Sequence, residues 1–246
     1  MPAVYDKIGI GYANLRKPDH RIAKAIYQAL GDARSVLNVG AGTGSYEPTD
    51  RLVTALEPSA EMISQRPREA ATAHQGVAEA LPFADNQFEA AMAVLTVHHW
   101  SNLEIGLNEM RRVATDRLVI LTFDPAAPYF WLADYIPEII ELDQPIMPEL
   151  AAFERILGEI TVESISIPKD CTDGFLGAYW QRPEAYLDPK VRAAISTFSK
   201  LENISDALAR LTEDLESGVW EKRYGHLMEA ESLDIGYRLV VAEIQS

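Results

Sequence analysis

Three glycines, one acid and two adjacent histidines stand where the chain can do chemistry. Gly40, Gly42 and Gly44 end the segment Ser35-Val36-Leu37-Asn38-Val39-Gly40-Ala41-Gly42-Thr43-Gly44. There an apolar run breaks into a loop with few Cβ atoms, so its backbone can approach a ligand closely. Glu57 ends the next apolar run and can accept hydrogen bonds from both hydroxyls of a ribose. Together the loop and the acid suit a nucleoside-bearing ligand at the carboxyl edge of a parallel sheet. Taken singly, glycines serve ordinary turns, and Glu57 also reads as a solvated strand-end acid. His98 and His99 follow a third apolar run and open toward whatever second molecule the site takes. An imidazole titrates near neutral pH and can take a proton from a hydroxyl or an acidic carbon. For either histidine alone, a structural role is the simpler reading. The single cysteine, Cys171, can form neither an internal disulfide nor a thiolate-rich metal site, and no metal is expected.

The elements that must position these groups follow from the hydrophobic pattern. Asp19 is a plausible cap for a helix that runs to Leu30 and stops at Gly31. Short buried strands are expected over Ser35–Val39, Leu52–Leu56, Ala73–Gln75, Phe88–Leu95 and Arg117–Phe123. Between them, Ser59 caps a helix from Ala60 to about Arg66 that Pro67 ends, and Ser101 caps Leu103–Val113. Beyond Asp124 five prolines punctuate an aromatic stretch. A helix over Glu149–Leu157, a strand over Ile160–Ile167, a long excursion over Pro168–Ser232 and a last strand over Ile235–Ile244 complete the reading. Strands alternating with helices imply an α/β fold with a mostly parallel sheet and helices on both faces.

Composition narrows the function. The 246 residues carry 22 Lys and Arg against 37 Asp and Glu, a formal charge of −15, which disfavours a nucleic-acid backbone as partner. No apolar run approaches a membrane span, so a cytoplasmic protein that engages no membrane is expected. A dinucleotide needs glycines spaced G-x-G-x-x-G and a helix to receive its pyrophosphate. Here the spacing is G-x-G-x-G, Glu47-Pro48 follow at once, and residues 40–51 leave room for one helical turn at most. A nucleoside without phosphates suits that loop better.

At this point the chain resembles a known family, the class I S-adenosylmethionine-dependent methyltransferases, in the small-molecule branch related to the ubiquinone and menaquinone biosynthesis enzymes. The pieces that carry the resemblance are Val39-Gly40-Ala41-Gly42-Thr43-Gly44, Glu57-Pro58-Ser59 with Met62, Ala78-Glu79-Ala80-Leu81-Pro82-Phe83, Phe88-Glu89-Ala90-Ala91 and Leu95-Thr96-Val97-His98-His99-Trp100. The resemblance implies a Rossmann-like, seven-stranded, mostly parallel sheet with an antiparallel last strand and a helical cap insertion. It implies one methyltransferase domain over 1–246: an N-terminal lid and helix (1–34), a cofactor-binding half (35–125), acceptor-side elaborations (126–167 and 168–232) and the last strand (233–246).

For the site, the resemblance implies S-adenosylmethionine as cofactor, with S-adenosylhomocysteine as product. Gly40 and Gly42 then face its methionine part, Glu57 holds the ribose, Met62 packs against the adenine and Ala78 with Glu79 lines its edge, with Ala41, Gly44, Pro58 and Leu95 as further cofactor-binding positions. Tyr12 and Arg16 match the family's lid pair, although Arg16 also reads as surface charge. Many relatives carry an Asp where this chain has Val77. Methyl transfer from a sulfonium needs alignment and water exclusion, with His98 or His99 as base where the acceptor must lose a proton. The expected acceptor is a small organic molecule methylated on hydroxyl, carboxyl or carbon. Leu95-Thr96-Val97-His98 is not the Asn/Asp-Pro-Pro-aromatic motif of enzymes that methylate adenine or glutamine amino groups. Trp131, Tyr179, Trp180 and Tyr186 either stack a flat acceptor or form the cap's own core. A nicotinamide-dependent oxidoreductase and a non-catalytic S-adenosylmethionine-binding protein are the alternatives. Acceptor identity and oligomeric state are not written in the sequence.

Overall fold

A computed structural model describes residues 16–244. Helix α1 spans His20–Ala29, and the Asp19 carboxylate caps it by accepting the Arg21 backbone N–H. Strand β1 (Ser35–Val39), β2 (Leu52–Glu57), α2 (Ala60–Ser64), β3 (Thr72–Gln75), β4 (Phe88–Val94), α3 (Leu103–Val113) and β5 (Ala114–Phe123) follow. The first excursion carries α4 (Leu132–Tyr135), α5 (Glu138–Asp143) and α6 (Leu150–Leu157), and leads into β6 (Thr161–Ser164). Between the short strands β7 (Ile167–Pro168) and β8 (Ser232–Leu233) lie α7 (Pro189–Ala193), α8 (Ser205–Glu216), α9 (Val219–Tyr224) and several 3-10 turns. Strand β9 (Tyr237–Glu243) comes last.

The main sheet has the order β3-β2-β1-β4-β5-β9-β6. Strands β1 to β5 pair in parallel, and β9 runs antiparallel to both β5 and β6. This is the Rossmann-like sheet expected. The period-two alternation of strand side chains divides its core between two faces. Val36, Met92, Val119 and Leu239 meet Ile22 and Ile26 of α1 on one face. Their neighbours Leu37, Ala93, Ile120 and Val240 meet Leu107 and Met110 of α3 and Phe153 of α6 on the other. A third cluster, including Trp131, Tyr135, Tyr186, Leu211 and Trp220, is the core of the cap. The Trp131 indole N–H donates to the Trp180 carbonyl at 2.7 Å, and the Trp180 indole to the Ile167 carbonyl at 2.9 Å. Trp131, Trp180 and Tyr186 are therefore packing residues.

Four local expectations change. Helix α2 stops at Ser64 rather than near Arg66, because Arg66 turns inward to an ion pair. Asn102, not Ser101, caps α3 through its bond from the Ile105 N–H, since the Ser101 hydroxyl is taken by Glu79. Strand β5 begins at Ala114 rather than Arg117, with a register irregularity between Phe88 and Ala90. The strand expected over Ile160–Ile167 splits into β6 and β7. Its partner leaves the ladder at Gly236, whose φ of +101° turns the chain away. Among the described residues no helix is long and apolar enough to cross a membrane.

Candidate active site

Strand order reverses between β1 and β4, and the crevice of an open α/β sheet forms where two neighbouring crossovers diverge in this way. A cleft of about 880 Å³ lies there, over the carboxyl ends of β1, β2 and β4. Its near wall is the glycine loop, which runs from β1 to β2 without a helix. Gly40 has φ +72°, and a Cβ on it would lie 2.1 Å from the Thr96 hydroxyl. The missing side chain is thus demanded by the adjoining end of β4. The Gly40 and Ala41 N–H groups both donate to the Leu56 carbonyl.

Glu57 joins that loop to the next element. Its carboxylate, 5% exposed, accepts the Gly42 N–H at 2.8 Å and the Ser59 N–H at 2.9 Å. The Ser59 hydroxyl in turn caps α2 by accepting the Met62 N–H. Glu57 is therefore a buried brace at the floor of the cleft, not a solvated strand-end acid. Pro58 and Met62 line the cleft beside it, and the Pro58 carbonyl accepts from the Gln75 amide.

The brace beneath the loop was not foreseen. Arg66 and Glu47, 5% and 7% exposed, pair at 2.7 Å. Arg66 also donates to the Gly42 and Ala71 carbonyls, and a Cβ on Gly44 would lie only 3.3 Å from Glu47 and 3.4 Å from Arg66. This pair does what a crossover helix would otherwise do for the loop. The Asn38 amide donates to Glu47 at 3.1 Å, while its Oδ1 is buried in the cleft wall without a hydrogen-bond partner among the described residues. The sequence signal was an acid straight after the loop and an arginine before Pro67, nineteen positions apart, with no period to link them.

The far wall carries Val77, Ala78 and Glu79. One Glu79 oxygen accepts the Ser101 N–H, the Ser101 hydroxyl and the Asn102 N–H at 2.6, 2.8 and 3.0 Å. Burial works to raise the Glu79 carboxyl, but these donors hold it below the usual carboxylate range. Glu79 thus ties the cleft to the start of α3.

Arg16 stands at the other end. It bonds Asp173 at 2.5 Å, and the Tyr46 hydroxyl donates to the same carboxylate at 2.8 Å. Asp173 is 1% exposed, so this is a buried ion pair and the surface-charge reading of Arg16 falls. Burial, with Asp173 beside it, pushes the Tyr46 phenol far up. Tyr12, the expected companion of Arg16, lies outside the described residues.

Arg16 and Leu95 also line a second, smaller cavity of about 80 Å³ behind the cleft. Leu95 is held at φ +51° just past β4, with its N–H on the Leu121 carbonyl. A non-glycine residue in this left-handed region carries strain of about 1–3 kcal/mol, a feature that concentrates at functional sites. Phe123 enters the cavity from the end of β5, Tyr129 and Asp143 from the first excursion, and Phe175 and Thr197 from the second.

The two histidines part company here. They lie in a 3-10 turn, Val97–His99, with ring centroids 3.9 Å apart. His99 lines the cleft and His98 the inner cavity. Burial pushes the His99 imidazole down to about 4, helped by Lys200. Burial, then His99, Lys200 and Arg16, push His98 well down as well. Both are neutral at pH 7. No group of three or more His, Cys, Asp or Glu side chains suited to a metal occurs among the described residues, and burial raises the Cys171 thiol to about 12.

The residues present fit S-adenosylmethionine. The cleft holds a buried carboxylate for ribose hydroxyls, an orphaned acceptor at Asn38 and an apolar side at Met62 and Ala78. The helix-free loop suits a ligand without pyrophosphate.

Comparison with known proteins agrees. A family profile described as a methyltransferase domain matches residues 37–117. A solved structure of a candidate methyltransferase from an antibiotic biosynthesis pathway of Anabaena variabilis is 34% identical, covering 93% of this chain and 98% of that chain, with a TM-score of 0.86. The malonyl-(acyl-carrier protein) O-methyltransferase of Erwinia pyrifoliae is 40% identical over 89 residues, 34% of each protein. The match thus spans about a third of that curated relative's length. Phosphoethanolamine N-methyltransferase 2 of Haemonchus contortus, solved with S-adenosyl-L-methionine, shares the fold at 15% identity and a TM-score of 0.55, over 92% of this chain and 52% of that chain. The 34% identity to the Anabaena protein across almost the whole of both chains places the protein, and we conclude that it belongs to the class I S-adenosylmethionine-dependent methyltransferases.

Proposed function

We propose that the chain methylates a small organic acceptor held in the inner cavity, with the cofactor in the adjoining cleft. The observation that carries this reading is the shared wall. Arg16 and Leu95 line both spaces, so molecules in the two meet at that boundary. When bound, S-adenosylmethionine supplies a methyl group already activated on a sulfonium.

In this reading the glycine loop, Gly40 to Gly44 with Ala41, takes the methionine part, and the free Asn38 Oδ1 accepts from its ammonium. Glu57 accepts the ribose hydroxyls, with Pro58 beside it. Met62 and Ala78 pack the base, Glu79 fixes the wall along its edge, and Leu95 lies against the cofactor at the boundary with the inner cavity. Arg16, with Tyr12 from the preceding segment, covers the methionine end. The cap residues exclude water and align the acceptor, which is the larger part of such catalysis. His98 faces the acceptor space and, being neutral at pH 7, is free to take a proton from a hydroxyl or acidic carbon. Its low basicity makes it a modest base, since efficiency follows the match between catalytic pKa and working pH. His99 faces the cleft and helps shape it. The formal charge of −15 and the small cavity favour a small molecule over a nucleic acid.

The test is calorimetry with S-adenosylhomocysteine and with NADH, followed by transfer of labelled methyl from S-adenosylmethionine into a pool of small metabolites. Binding of S-adenosylhomocysteine with label transfer is expected. Binding of NADH instead, or of S-adenosylhomocysteine with no transfer to any pool, would overturn the assignment.

A further inference from the structure

The inner cavity contains a buried acid that the reading above leaves without a task. Asp143, at the end of α5, is 5% exposed. Among the described residues its carboxylate has one hydrogen-bond donor, the Thr197 hydroxyl, 3.0 Å from each oxygen. Thr197 is itself 5% exposed. An ionised carboxylate offers about four acceptor positions, and burying one against a single neutral donor is costly unless a cation completes it. The Tyr129 hydroxyl, which lines the same cavity, is buried with no hydrogen-bond partner among the described residues.

The rest of the lining explains which cation is missing. Arg16 reaches the cavity, but its guanidinium is committed to Asp173. Burial raises the Asp143 carboxyl, as it must for a carboxylate lacking a close cation, and Lys200, itself exposed on the surface, opposes this only as a charge without an ion pair. His98 is neutral. Apart from Ser196 the remaining side chains are apolar or aromatic: the Phe123 ring lies 5.4 Å from Tyr129 and 5.6 Å from Tyr237, and Tyr237 lies 4.7 Å from Phe175, centroid to centroid. Ring faces carry negative potential and attract cations.

We propose that the acceptor carries a protonated amine, whose N–H groups donate to the Asp143 carboxylate and the Tyr129 oxygen in the cavity. This rests on the inner cavity being the acceptor site of the methyltransferase. An ammonium offers up to three N–H donors and one positive charge, which matches the open acceptor positions and the uncompensated charge together. A hydroxyl offers one donor and leaves the charge unmet. A carboxylate acceptor would set like charge against Asp143, so the carboxyl option allowed by the sequence is disfavoured. The amine is an anchor, and the methylated atom lies toward Leu95 and the cleft.

The experiment uses the full chain saturated with S-adenosylhomocysteine and three probes of one size: benzylamine, benzyl alcohol and benzoate. Dissociation constants come from NMR titration of isotope-labelled protein. Benzylamine is expected to bind at least tenfold tighter than benzyl alcohol, with benzoate weakest. Asp143→Asn should weaken benzylamine at least tenfold while changing benzyl alcohol and S-adenosylhomocysteine less than twofold. Equal or tighter binding of the alcohol or of benzoate overturns the proposal. So does an amine preference that survives Asp143→Asn, or failure of all three probes with S-adenosylhomocysteine bound. If Asp143→Asn does not fold, Tyr129→Phe decides: a threefold or larger loss of amine preference supports the anchor, and no change overturns it. Failure of S-adenosylhomocysteine itself to bind overturns the cofactor reading, and this assignment with it.

Discussion

Replacing Glu57 by Gln separates two roles that the structure superimposes on one side chain. The carboxylate braces the loop through the Gly42 and Ser59 N–H groups, at 2.8 and 2.9 Å, and its position at the cleft floor also suits ribose. Glu57→Ala removes both at once, so a loss of binding in that variant would not say which role was lost. In Glu57→Gln one oxygen remains to accept a backbone N–H, while the other becomes an NH₂ that faces a donor. A buried donor left unsatisfied costs roughly 1–3 kcal/mol, and in a chain of this size each kcal/mol moves the Tm by about 2–4 °C. The expected drop is therefore about 2–12 °C, by those same factors. Ribose hydroxyls that donated to a charged oxygen lose about 1–3 kcal/mol more, which weakens S-adenosylhomocysteine roughly 5- to 150-fold. Calorimetry for affinity and thermal denaturation for stability read the two effects independently. A Tm that falls while the Kd stays within twofold of wild type would refute the ribose role and leave Glu57 as a brace alone.

Three further outcomes follow from the geometry. Arg66→Ala strands the Glu47 carboxylate, buried at 7% exposure, and should destabilise the chain by about 3–5 kcal/mol; denaturant titration showing less than 1 kcal/mol would mean that solvent reaches the pair. His98→Ala should lower turnover at least tenfold for an acceptor that loses a proton while leaving S-adenosylhomocysteine affinity within twofold, whereas His99→Ala should alter that affinity; wild-type rates in both variants would remove the base. The His99 imidazole sits at about 4 in the fold against an ordinary 6.5, so between these values the unfolded chain binds the extra proton. Its contribution to stability is then full above pH 6.5 and declines as pH falls toward 4, by up to about 1.4 kcal/mol per pH unit. Thermal melts across that window should fall less steeply in His99→Gln, and parallel curves would show that His99 is not protected from protonation.

What the sequence determined was local. Apolar runs of strand length, broken by Gly31, Gly40 and Pro58, located β1, β2 and β4 to within a residue or two, because backbone period and burial are written in adjacent side chains. The glycine loop and Glu57 were legible for the same reason, since a loop and the next strand end lie close in sequence and meet at the edge of a parallel pair. Even the helix-free crossover showed in its length. The structure alone decided partnership across the fold. Arg16 finds Asp173 157 positions away and Tyr46 meets the same carboxylate, so no window on the sequence distinguishes Arg16 from a surface charge. His98 and His99 are neighbours of one type, and only the path of their 3-10 turn gives one to the cavity and the other to the cleft. The cap aromatics were undecided between stacking an acceptor and packing a core, and burial assigns Trp131 and Tyr186 to the core of the cap and Trp180 to the core beside the sheet, with Tyr179 half-buried against both. Asp143 drew no notice in the sequence, because an acid becomes unusual only once packing has taken away its water.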